Sequence, residues 1–437
     1  MRFHRVFVIV LLLALAPLAR GQTFELLHSF NLDDGAYPTA GLIEGKDGNY
    51  YGVTKDGRGA VYKITPIGTF SVFATNAGQA VGTLLQGSDG NLYGTTINGG
   101  SFHQGNVFSV TTNGILTSLA SFSSFNGEGG NLNAGLIEVA GNFYGTTERG
   151  GDGNLGTIFK LTTNGIITTL ASFAGTDGRW PEAPLLNGKD GFFYGTTVSG
   201  GPAYGANEDV GTIFKITPSG VLTMMHSFTF TGEHYPWSGL IEGTDGRFYG
   251  TTQNGGPEGA GTIFSINRNS DFYPVASFDF SNGGLPESPL IQATDGYFYG
   301  TAREGGANGF GTVFRLNPDS SITTLHSFDG TNGYAPRSGL LQGSDGNFYG
   351  TTFEGGEYGF GTVYRIIMPV TLALRLNGNE LVLSWPTNQV GFTLQAAANL
   401  NSPTNWIDST NTPAVVGAQF TVTNSLSASA QFYRLKK

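Results

Sequence analysis

Short apolar segments alternate with glycine-rich turns along most of the chain, and the alternation repeats. Each repeat holds four apolar segments, exemplified by GLLQG (residues 339–343), NFYGTT, GTVFRL and ITTLHSF. β-Branched and aromatic residues dominate these segments and no helical period of 3.6 residues appears, so each segment predicts a β-strand. The DGN sequence between the first two segments predicts a tight hairpin. The pattern therefore predicts a four-stranded antiparallel unit.

This unit occurs seven times. Its second segment carries a Tyr-Gly pair, and successive pairs lie 42 to 55 residues apart, at Tyr51, Tyr93, Tyr144, Tyr194, Tyr249, Tyr299 and Tyr349. A period near 50 residues that is built from strands is typical of propeller blades. The 69 glycines fall at repeated turn positions, so they indicate turns and close backbone approaches instead of disorder.

The two ends of the repeat region complement each other. The seventh unit ends at GTVYRI (residues 361–366) without a fourth segment, whereas FELLHSF (residues 24–30) is a fourth segment without a unit. Pairing the two would close a ring and leave only short sheet edges. We therefore predict an all-β fold, a seven-bladed β-propeller closed by an N-terminal strand and followed by a small β-sandwich. An open β-solenoid is the alternative, although solenoids usually repeat in shorter units.

The N-terminal segment, residues 1–21, predicts a secretory signal peptide. It has Arg2 and Arg5 at its start, then 11 apolar residues, then small residues at a cleavage pattern. The apolar run is short for a membrane span, so we expect no span after signal removal. The expected location is secreted, periplasmic or at the cell surface.

The C-terminal segment lacks the repeat. The propeller is predicted at residues 22–368, and residues 369–437 alternate as strands around an Asn-Gly turn. This pattern predicts a β-sandwich of fibronectin-like type, with Trp385 and Trp406 in its core.

The composition excludes several kinds of ligand and catalytic site. The formal net charge is −10, and an acidic chain is a poor nucleic-acid binder because phosphate contacts need a basic surface. The chain has no Cys, which excludes disulfides, thiolate metal sites and thiol catalysis. It has no P-loop, nucleophile elbow or HExxH motif. We assign no catalytic residue, metal ligand or cofactor, and the sequence does not indicate an oligomeric state.

Loop length and loop sequence vary mainly between the second and third strands. That connection spans 14 residues in five copies, 10 in the first and 19 in the fourth. Two residues at its start change in every copy: Lys55/Asp56, Ile97/Asn98, Glu148/Arg149, Val198/Ser199, Gln253/Asn254, Arg303/Glu304 and Phe353/Glu354. In a propeller this loop shares a face with the crossover to the next blade, and variable loops on a rigid scaffold usually bind ligands.

The crossover carries a second variable column around a proline, with Tyr37, Trp180 or Tyr235 before it and Glu182, Trp237 or Arg337 after it. Aromatic rings beside scattered charges suit a glycan or a protein ligand. The alternative is that these aromatics only seal one blade against the next. The candidate ligand-binding residues are Tyr37, Trp180, Tyr235, Trp237, Arg303, Glu304, Arg337 and Glu354.

Histidines and repeated carboxylates offer weaker candidates. His28, His226 and His326 share one position on the fourth strand, which is the outer strand, so they should lie too far apart to bind one metal ion. His103 and His234 fall in loops of the variable face, where either could act as a general base beside Glu148, Glu304 or Glu354. The Asp of each DG pair is expected to stabilise a turn, because calcium needs six to eight oxygens.

The motifs GTIFKIT, LHSF and DGNFYGTT resemble the GloVer tandem repeat of exported bacterial proteins, over roughly residues 24–366. The resemblance implies an exported, surface-associated protein and brings no established activity or site residue. We expect a binding or interaction scaffold that presents variable loops to a glycan or protein, more than an enzyme. Two alternatives stay open: a propeller hydrolase or lyase acting on a polysaccharide or small molecule, and a structural surface component.

Overall fold

The structure of the protein is a computed structural model. It describes residues 22–56, 59–202, 209–370, 372–377, 380–386, 392–397, 406–416, 419–425 and 431–436. The predicted signal peptide, residues 1–21, lies outside the described residues. The described chain divides into two compact units. The larger contains Phe24–Gln342 and Phe348–Arg365, and the smaller includes Gly343–Asn347 and the described residues from Ile366 onward. The predicted boundaries at residues 22–368 and 369–437 stay predictions.

Seven four-stranded antiparallel sheets form the described part of the repeat region. We number them blade 1 to blade 7. The strands are Ile43–Glu44, Tyr50–Val53, Val61–Ile64 and Phe70–Ala74 in blade 1; Leu85–Gln86, Leu92–Thr95, Asn106–Val110 and Leu116–Ser121 in blade 2; Ile137–Val139, Asn142–Thr147, Thr157–Thr162 and Ile167–Ser172 in blade 3; Leu186–Asn187, Phe193–Thr197, Thr212–Ile216 and Leu222–Ser227 in blade 4; Ile241–Glu242, Phe248–Thr252, Thr262–Ile266 and Phe272–Ser277 in blade 5; Ile291–Gln292, Phe298–Ala302, Thr312–Leu316 and Ile322–Ser327 in blade 6; and Leu341–Gln342, Phe348–Thr352, Thr362–Ile367 and Thr23–Ser29 in blade 7.

Each blade runs from its first strand at one edge to its fourth at the other, and blade 7 takes Thr23–Ser29 as its fourth strand. The prediction of an all-β propeller is confirmed. One short 3-10 helix, Ser124–Asn126, lies in the crossover between blades 2 and 3. The first strands are only two or three residues long, because the chain turns directly after them; in blade 1, Gly45 donates its N–H to the carbonyl of Asn49 at 2.8 Å.

The Asp of the DGN hairpin stabilises the turn, as the sequence predicts. In blade 1, Asp47 accepts the backbone N–H of Asn49 at 3.1 Å and the hydroxyl of Tyr51 at 2.8 Å, while Gly48 adopts φ +75°. Burial alone would raise the pKa of Asp47, but the hydrogen bonds from Asn49 and Tyr51 outweigh it and lower that pKa. The same Asp–Tyr bond recurs at 2.6–2.8 Å for Tyr93, Tyr194, Tyr249 and Tyr299.

Two residues of the YGTT segment join neighbouring blades. The Tyr ring packs on the aromatic ring one position earlier in the next blade, with centroids 4.0–4.7 Å apart, for the pairs Tyr93–Phe143, Tyr144–Phe193, Tyr194–Phe248, Tyr249–Phe298, Tyr299–Phe348 and Tyr349–Tyr50. The first Thr donates its hydroxyl to a backbone carbonyl of the next blade at 2.8–3.4 Å, from Thr95, Thr146, Thr196, Thr251, Thr301 and Thr351. Six of the seven joints use both contacts; the joint between blades 1 and 2 has Leu92 in place of the aromatic ring and Val53 in place of the first Thr.

Blade 7 and blade 1 meet through the same two contacts as five of the other neighbouring pairs. Tyr349 stacks on Tyr50, and the Thr351 hydroxyl donates to the carbonyl of Ala40. A Cβ on Gly361, at φ +98°, would lie 2.6 Å from Cδ of Pro38, so this approach requires glycine.

The N-terminal strand is held in place by backbone and side-chain contacts. The Phe30 N–H donates to the Gly361 carbonyl at 2.9 Å, and Phe30 itself is fully buried. Arg365 forms an ion pair with Glu25 across the third and fourth strands of blade 7. A strand that arrives from the other end of the chain therefore completes the last sheet.

The outer edge of the joints contains a matched pair of positions. His28 stacks on Phe70, His226 on Phe272 and His326 on Phe24, with ring centroids 3.6–4.0 Å apart. Each His lies on a fourth strand, and its Phe begins the fourth strand of the next blade. In the other four joints, Ala stands at the position of the His, and Leu or Ile stands at the position of the Phe in the next blade. These pairs are Ala74 and Leu116, Ala120 and Ile167, Ala171 and Leu222, and Ala276 and Ile322. Burial lowers the pKa of His226 to about 4, so the stacked ring is neutral.

The smaller unit contains two sheets. One has strands Ala373–Asn377, Glu380–Pro386, Gln419–Ser425 and Ala414–Val416, and the other has Ile407–Asp408, Thr393–Ala397 and Phe432–Lys436. Trp385 is buried among residues of both sheets, including Leu394 and Leu435. Trp406, also predicted in the core, is instead partly exposed with the Arg434 guanidinium 4.4 Å from its ring centre. The fibronectin-like type stays a prediction.

Within the described part of the chain, no helix has the length and apolar character needed to cross a membrane.

We expect the Phe30→Ala variant to lose about 3–5 kcal/mol of unfolding free energy, because a fully buried ring leaves a cavity. Phe228 occupies the same position on the fourth strand of blade 4 and is 3% exposed, so Phe228→Ala should cost a similar amount. Urea denaturation measures both. A Phe30→Ala cost near zero, beside a large Phe228→Ala cost, would show that the N-terminal strand is not part of the fold.

Candidate functional site

The two variable columns lie side by side on one face. In every blade, a residue of the crossover forms an antiparallel bridge with a residue at the start of the second-to-third-strand loop: Ala36 with Asp56, Ala80 with Thr96, Gly130 with Arg149, Arg179 with Ser199, His234 with Asn254, Gly284 with Glu304, and Tyr334 with Glu354. The backbone is therefore constant where the side chains change. This is the arrangement of a rigid frame that carries variable groups.

The residue before the proline column has a left-handed backbone in six crossovers, with φ of 51–58° at Tyr37, Asn131, Trp180, Tyr235, Leu285 and Ala335. This conformation is uncommon for residues other than glycine and is held by the surroundings. At Tyr37, the N–H donates to the Phe360 carbonyl of blade 7, and the carbonyl accepts the Lys55 N–H of blade 1. Each such residue thus links two blades and fixes the direction of the crossover.

The residue after the proline column leads into the first strand, which lines the central channel of a propeller. In each blade this residue is half-buried while the residues on either side of it are buried. We call these seven residues the mouth ring: Thr39, Val81, Asn133, Glu182, Trp237, Glu287 and Arg337. Charged and aromatic members come from blades 4 to 7, and the members in blades 1 and 2 are Thr39 and Val81.

Glu287 is the best-connected member of the mouth ring. Its carboxylate accepts hydrogen bonds from Gln253 at 2.8 Å and from Arg303 at 3.0 Å, and Arg337 Nε lies 3.6 Å from its other oxygen. The side chain is 13% exposed. Two guanidinium groups from two blades therefore share one carboxylate.

Two more carboxyls lie in the neighbouring part of this face, Glu182 in the mouth ring and Glu148 in the loop of blade 3. Glu148 accepts hydrogen bonds from Asn131 and Asn133 and pairs with Arg149 at 2.9 Å. Burial, helped by the charges of Glu148 and Glu287 and opposed by Arg149, raises the pKa of Glu182 to about 8. Glu182 is therefore mostly protonated at neutral pH and can donate a hydrogen bond.

The aromatic candidates have different surroundings. Tyr37 packs against Phe353 and Phe360 of blade 7, with ring centroids 5.1 and 5.7 Å away, so it contributes to the joint between blades. Trp180 has the guanidinium groups of Arg149 and Arg179 at 5.0 and 4.0 Å from its ring centre. Its buried Nε1 has no hydrogen-bond partner among the described residues.

The other aromatic and acidic candidates divide between the mouth ring and the loops. Tyr235 packs edge-on against His234, and Trp237 stands half-buried in the mouth ring. Glu304 lies 3.9 Å from Arg303, and Glu354 pairs through its backbone with Tyr334. The structure therefore brings Arg303 and Arg337 together at Glu287. Trp237 belongs to the same mouth ring as Arg337.

The histidines of the variable face do not pair with carboxylates in the described part of the chain. His234 hydrogen-bonds the Gly232 carbonyl at 3.0 Å and stacks on Phe230, and His103 lies in an exposed loop. Among the described residues, no group of three or more His, Asp or Glu is placed to hold a metal ion.

Sequence reasoning missed two features of this face. The first is Glu287, although it follows Pro286 in the same column as Trp237 and Arg337 and could have been found there. The second is a set of exposed rings in the loops of this face, which we call the outer aromatic rim: Phe102, Phe125, Phe230, Phe280, Phe310 and Tyr358. They are 37–90% exposed. Their irregular spacing within the loops hid them from a repeat-based alignment.

Comparison with known proteins identifies the repeat. The family described as the Gloeobacter/Verrucomicrobia repeat matches residues 15–137, 80–293 and 202–377 in tandem. A search of curated protein sequences finds no match to this chain.

Solved structures with similar folds are propellers and have low sequence identity. One is the extracellular domain of a protein described as a hybrid two-component system from B. thetaiotaomicron, with a TM-score of 0.53 and 12% identity, covering 93% of this chain and 57% of that one. The WD40 β-propeller domain of Doa1 has a TM-score of 0.51 and 13% identity, covering 79% of this chain and 96% of that one. A gluconolactonase from Xanthomonas campestris has a TM-score of 0.44 and 13% identity, covering 81% and 93%. The first two likenesses, with TM-scores above 0.5, establish the fold.

The protonation of Glu182 generates a prediction about stability. The folded-state pKa of about 8 is above the ordinary value of 4.5, so the native state holds a proton that the unfolded state releases between these pH values. The stabilisation is complete below pH 4.5 and is lost as the pH rises through 8. Glu182→Gln cannot ionise, so its melting temperature relative to wild type should rise steadily from pH 4.5 to pH 9. A difference that stays constant over this range would contradict the assignment.

Proposed function

Because the chain belongs to the Gloeobacter/Verrucomicrobia repeat family and folds as a β-propeller, we propose that it is an exported scaffold that binds a glycan through the loops of one face. Export follows from the predicted signal peptide at residues 1–21. We further propose that the C-terminal two-sheet module is fibronectin-like and serves as a spacer or a second binding module.

The observation that carries the proposal is the concentration of exposed rings on the variable face. All six members of the outer aromatic rim belong to its loops, and Phe125 is 90% exposed. Exposed aromatic rings are costly in water unless a partner covers them, and flat rings match the apolar faces of sugars. The mouth ring adds the half-buried Trp237 together with amide and charged groups that can hydrogen-bond hydroxyls.

A glycan array should therefore show binding by the wild-type protein. Trp237→Ala and Phe230→Ala should each weaken binding to the same glycans about 5- to 100-fold, since each removes a stacking platform worth roughly 1–3 kcal/mol. Ile166→Ala is the matched control, because Ile166 is 57% exposed in the hairpin between the third and fourth strands, at the opposite end of the blade.

Three results would contradict this proposal. The first is an array on which the wild-type protein binds no glycan. The second is an equal loss of glycan affinity in the control and in the two aromatic variants. The third is that this face binds a protein partner but no sugar.

A second candidate function is supported by Glu182. A carboxyl that stays protonated at neutral pH can act as a general acid in cleavage of a polysaccharide, and Glu148 and Glu287 provide further carboxyl groups in the same region.

If the protein is such an enzyme, incubation with a panel of polysaccharides should release reducing ends or unsaturated sugars. Glu182→Gln should lower the rate about 100-fold or more, and the wild-type rate should fall above pH 8 as Glu182 ionises. Substrates that stay intact, or a variant as active as wild type, would eliminate this function.

A further inference from the structure

The N–H donors of Arg337 are largely free of protein acceptors among the described residues. Within the part of the chain that the structure describes, its guanidinium donates no hydrogen bond. Its protein contacts are the ion pair with Glu287 at 3.6 Å and the ring of Phe353, whose centre lies 4.5 Å from the guanidinium carbon. A guanidinium group carries five N–H donors in a planar fork; the Nε of Arg337 is buried without an acceptor in the described chain, which is unfavourable, while the side chain as a whole is 34% exposed and reachable from solvent. An acceptor from outside the chain would relieve that cost.

Arg303 lies beside it with the same feature. It gives one hydrogen bond to Glu287, and its Nε is buried without a partner among the described residues. Both oxygens of Glu287 are engaged by Arg303, Gln253 and Arg337, so Glu287 holds the two guanidinium groups in place but leaves several of their donors free. Arg303 also has Glu304 at 3.9 Å, whereas Arg337 pairs with Glu287 alone in the described part of the chain, so the free donors of Arg337 are the ones best placed to take a carboxylate from outside the chain.

We propose that the guanidinium groups of Arg337 and Arg303 form a subsite for the carboxylate of a uronic acid within an acidic glycan. This inference rests on the proposed glycan-binding function and specifies its ligand class. Arg337 would bind the carboxylate through paired N–H groups, and Glu287 is a positioning residue that orients both guanidinium groups.

The other members of the mouth ring favour a sugar over an acidic peptide. Trp237 provides a flat surface for a pyranose face, and Asn133 provides a neutral amide for hydroxyl groups, as does Gln253 in the adjoining loop of blade 5. Protonated Glu182 adds an O–H donor without adding a negative charge that would repel a carboxylate. A peptide carboxylate would use the guanidinium groups and leave the aromatic and amide positions unused.

The test compares one oligosaccharide in two charge states. Hexagalacturonate and its fully methyl-esterified form have the same sugar units, but only the first carries carboxylates. Isothermal titration with the full chain should show the acid binding about 10- to 100-fold more tightly than the ester, the range expected for a charge-assisted pair. Arg337→Ala should bring the acid to the affinity of the ester, and Arg337→Lys should restore only part of the loss.

Controls separate this inference from the function on which it rests. Arg247→Ala removes a cation that packs on Tyr273 in blade 5, outside the mouth ring, and should leave the preference for the acid intact. Melting temperatures confirm that each variant is folded. Equal binding of acid and ester, unchanged in Arg337→Ala, overturns the carboxylate subsite while glycan binding stands.

Binding of neither form, together with a blank glycan array, overturns both proposals. Binding of neither form beside a positive array overturns only the uronate subsite. Polyglutamate that competes with equal affinity and equal dependence on Arg337 overturns the sugar assignment in favour of an acidic peptide.

Discussion

A ring of sheets requires that the last sheet pack against the first, and here that contact depends on a strand supplied by the opposite end of the repeat region. Thr23–Ser29 completes blade 7, and the joint between blades 7 and 1 has the same Tyr stack and Thr–carbonyl bond as five of the other joints. The His–Phe match extends this regularity, because His326 finds its Phe at position 24 and His28 finds its Phe at position 70. Without the N-terminal strand, blade 7 would lose its outer edge and both of those contacts.

The repeated sequence and the variable sequence have separate physical tasks. Asp, Tyr, Gly and the first Thr of DGxxYGT form the turn, the stack and the bond to the next blade, so most copies keep them, with Val53 and Ala140 as exceptions in blades 1 and 3. The crossover backbone is also constant, since its left-handed residue is hydrogen-bonded to two blades. The side chains beside that backbone carry no such constraint. The protein can therefore change the groups at the mouth ring and outer rim while the frame stays rigid.

Much of the fold follows from periodicity, because a strand, a turn residue and a closing segment each leave a local signal. The Asp turn role, the Tyr between blades and the N-terminal closing strand were all predictable in this way. The candidate site was less predictable from the sequence. The two variable columns could be aligned, but that Arg303 and Arg337 converge on Glu287 depends on side-chain reach across two blades, which no single repeat encodes. Likewise, the stacking of His226 could not be predicted from its own repeat, because its partner Phe272 lies in the neighbouring blade, 46 positions away.

Hydrogen exchange at the N-terminal strand tests the account most directly. If Thr23–Ser29 is the fourth strand of blade 7, its paired amides and the Phe30 N–H, which donates to Gly361, should exchange as slowly as those of Ile322–Ser327, the fourth strand of blade 6. Peptide-resolved mass spectrometry on the intact protein compares the two segments in one experiment. Exchange of the N-terminal strand as fast as that of an unpaired segment, beside a protected blade 6, would contradict closure of the ring.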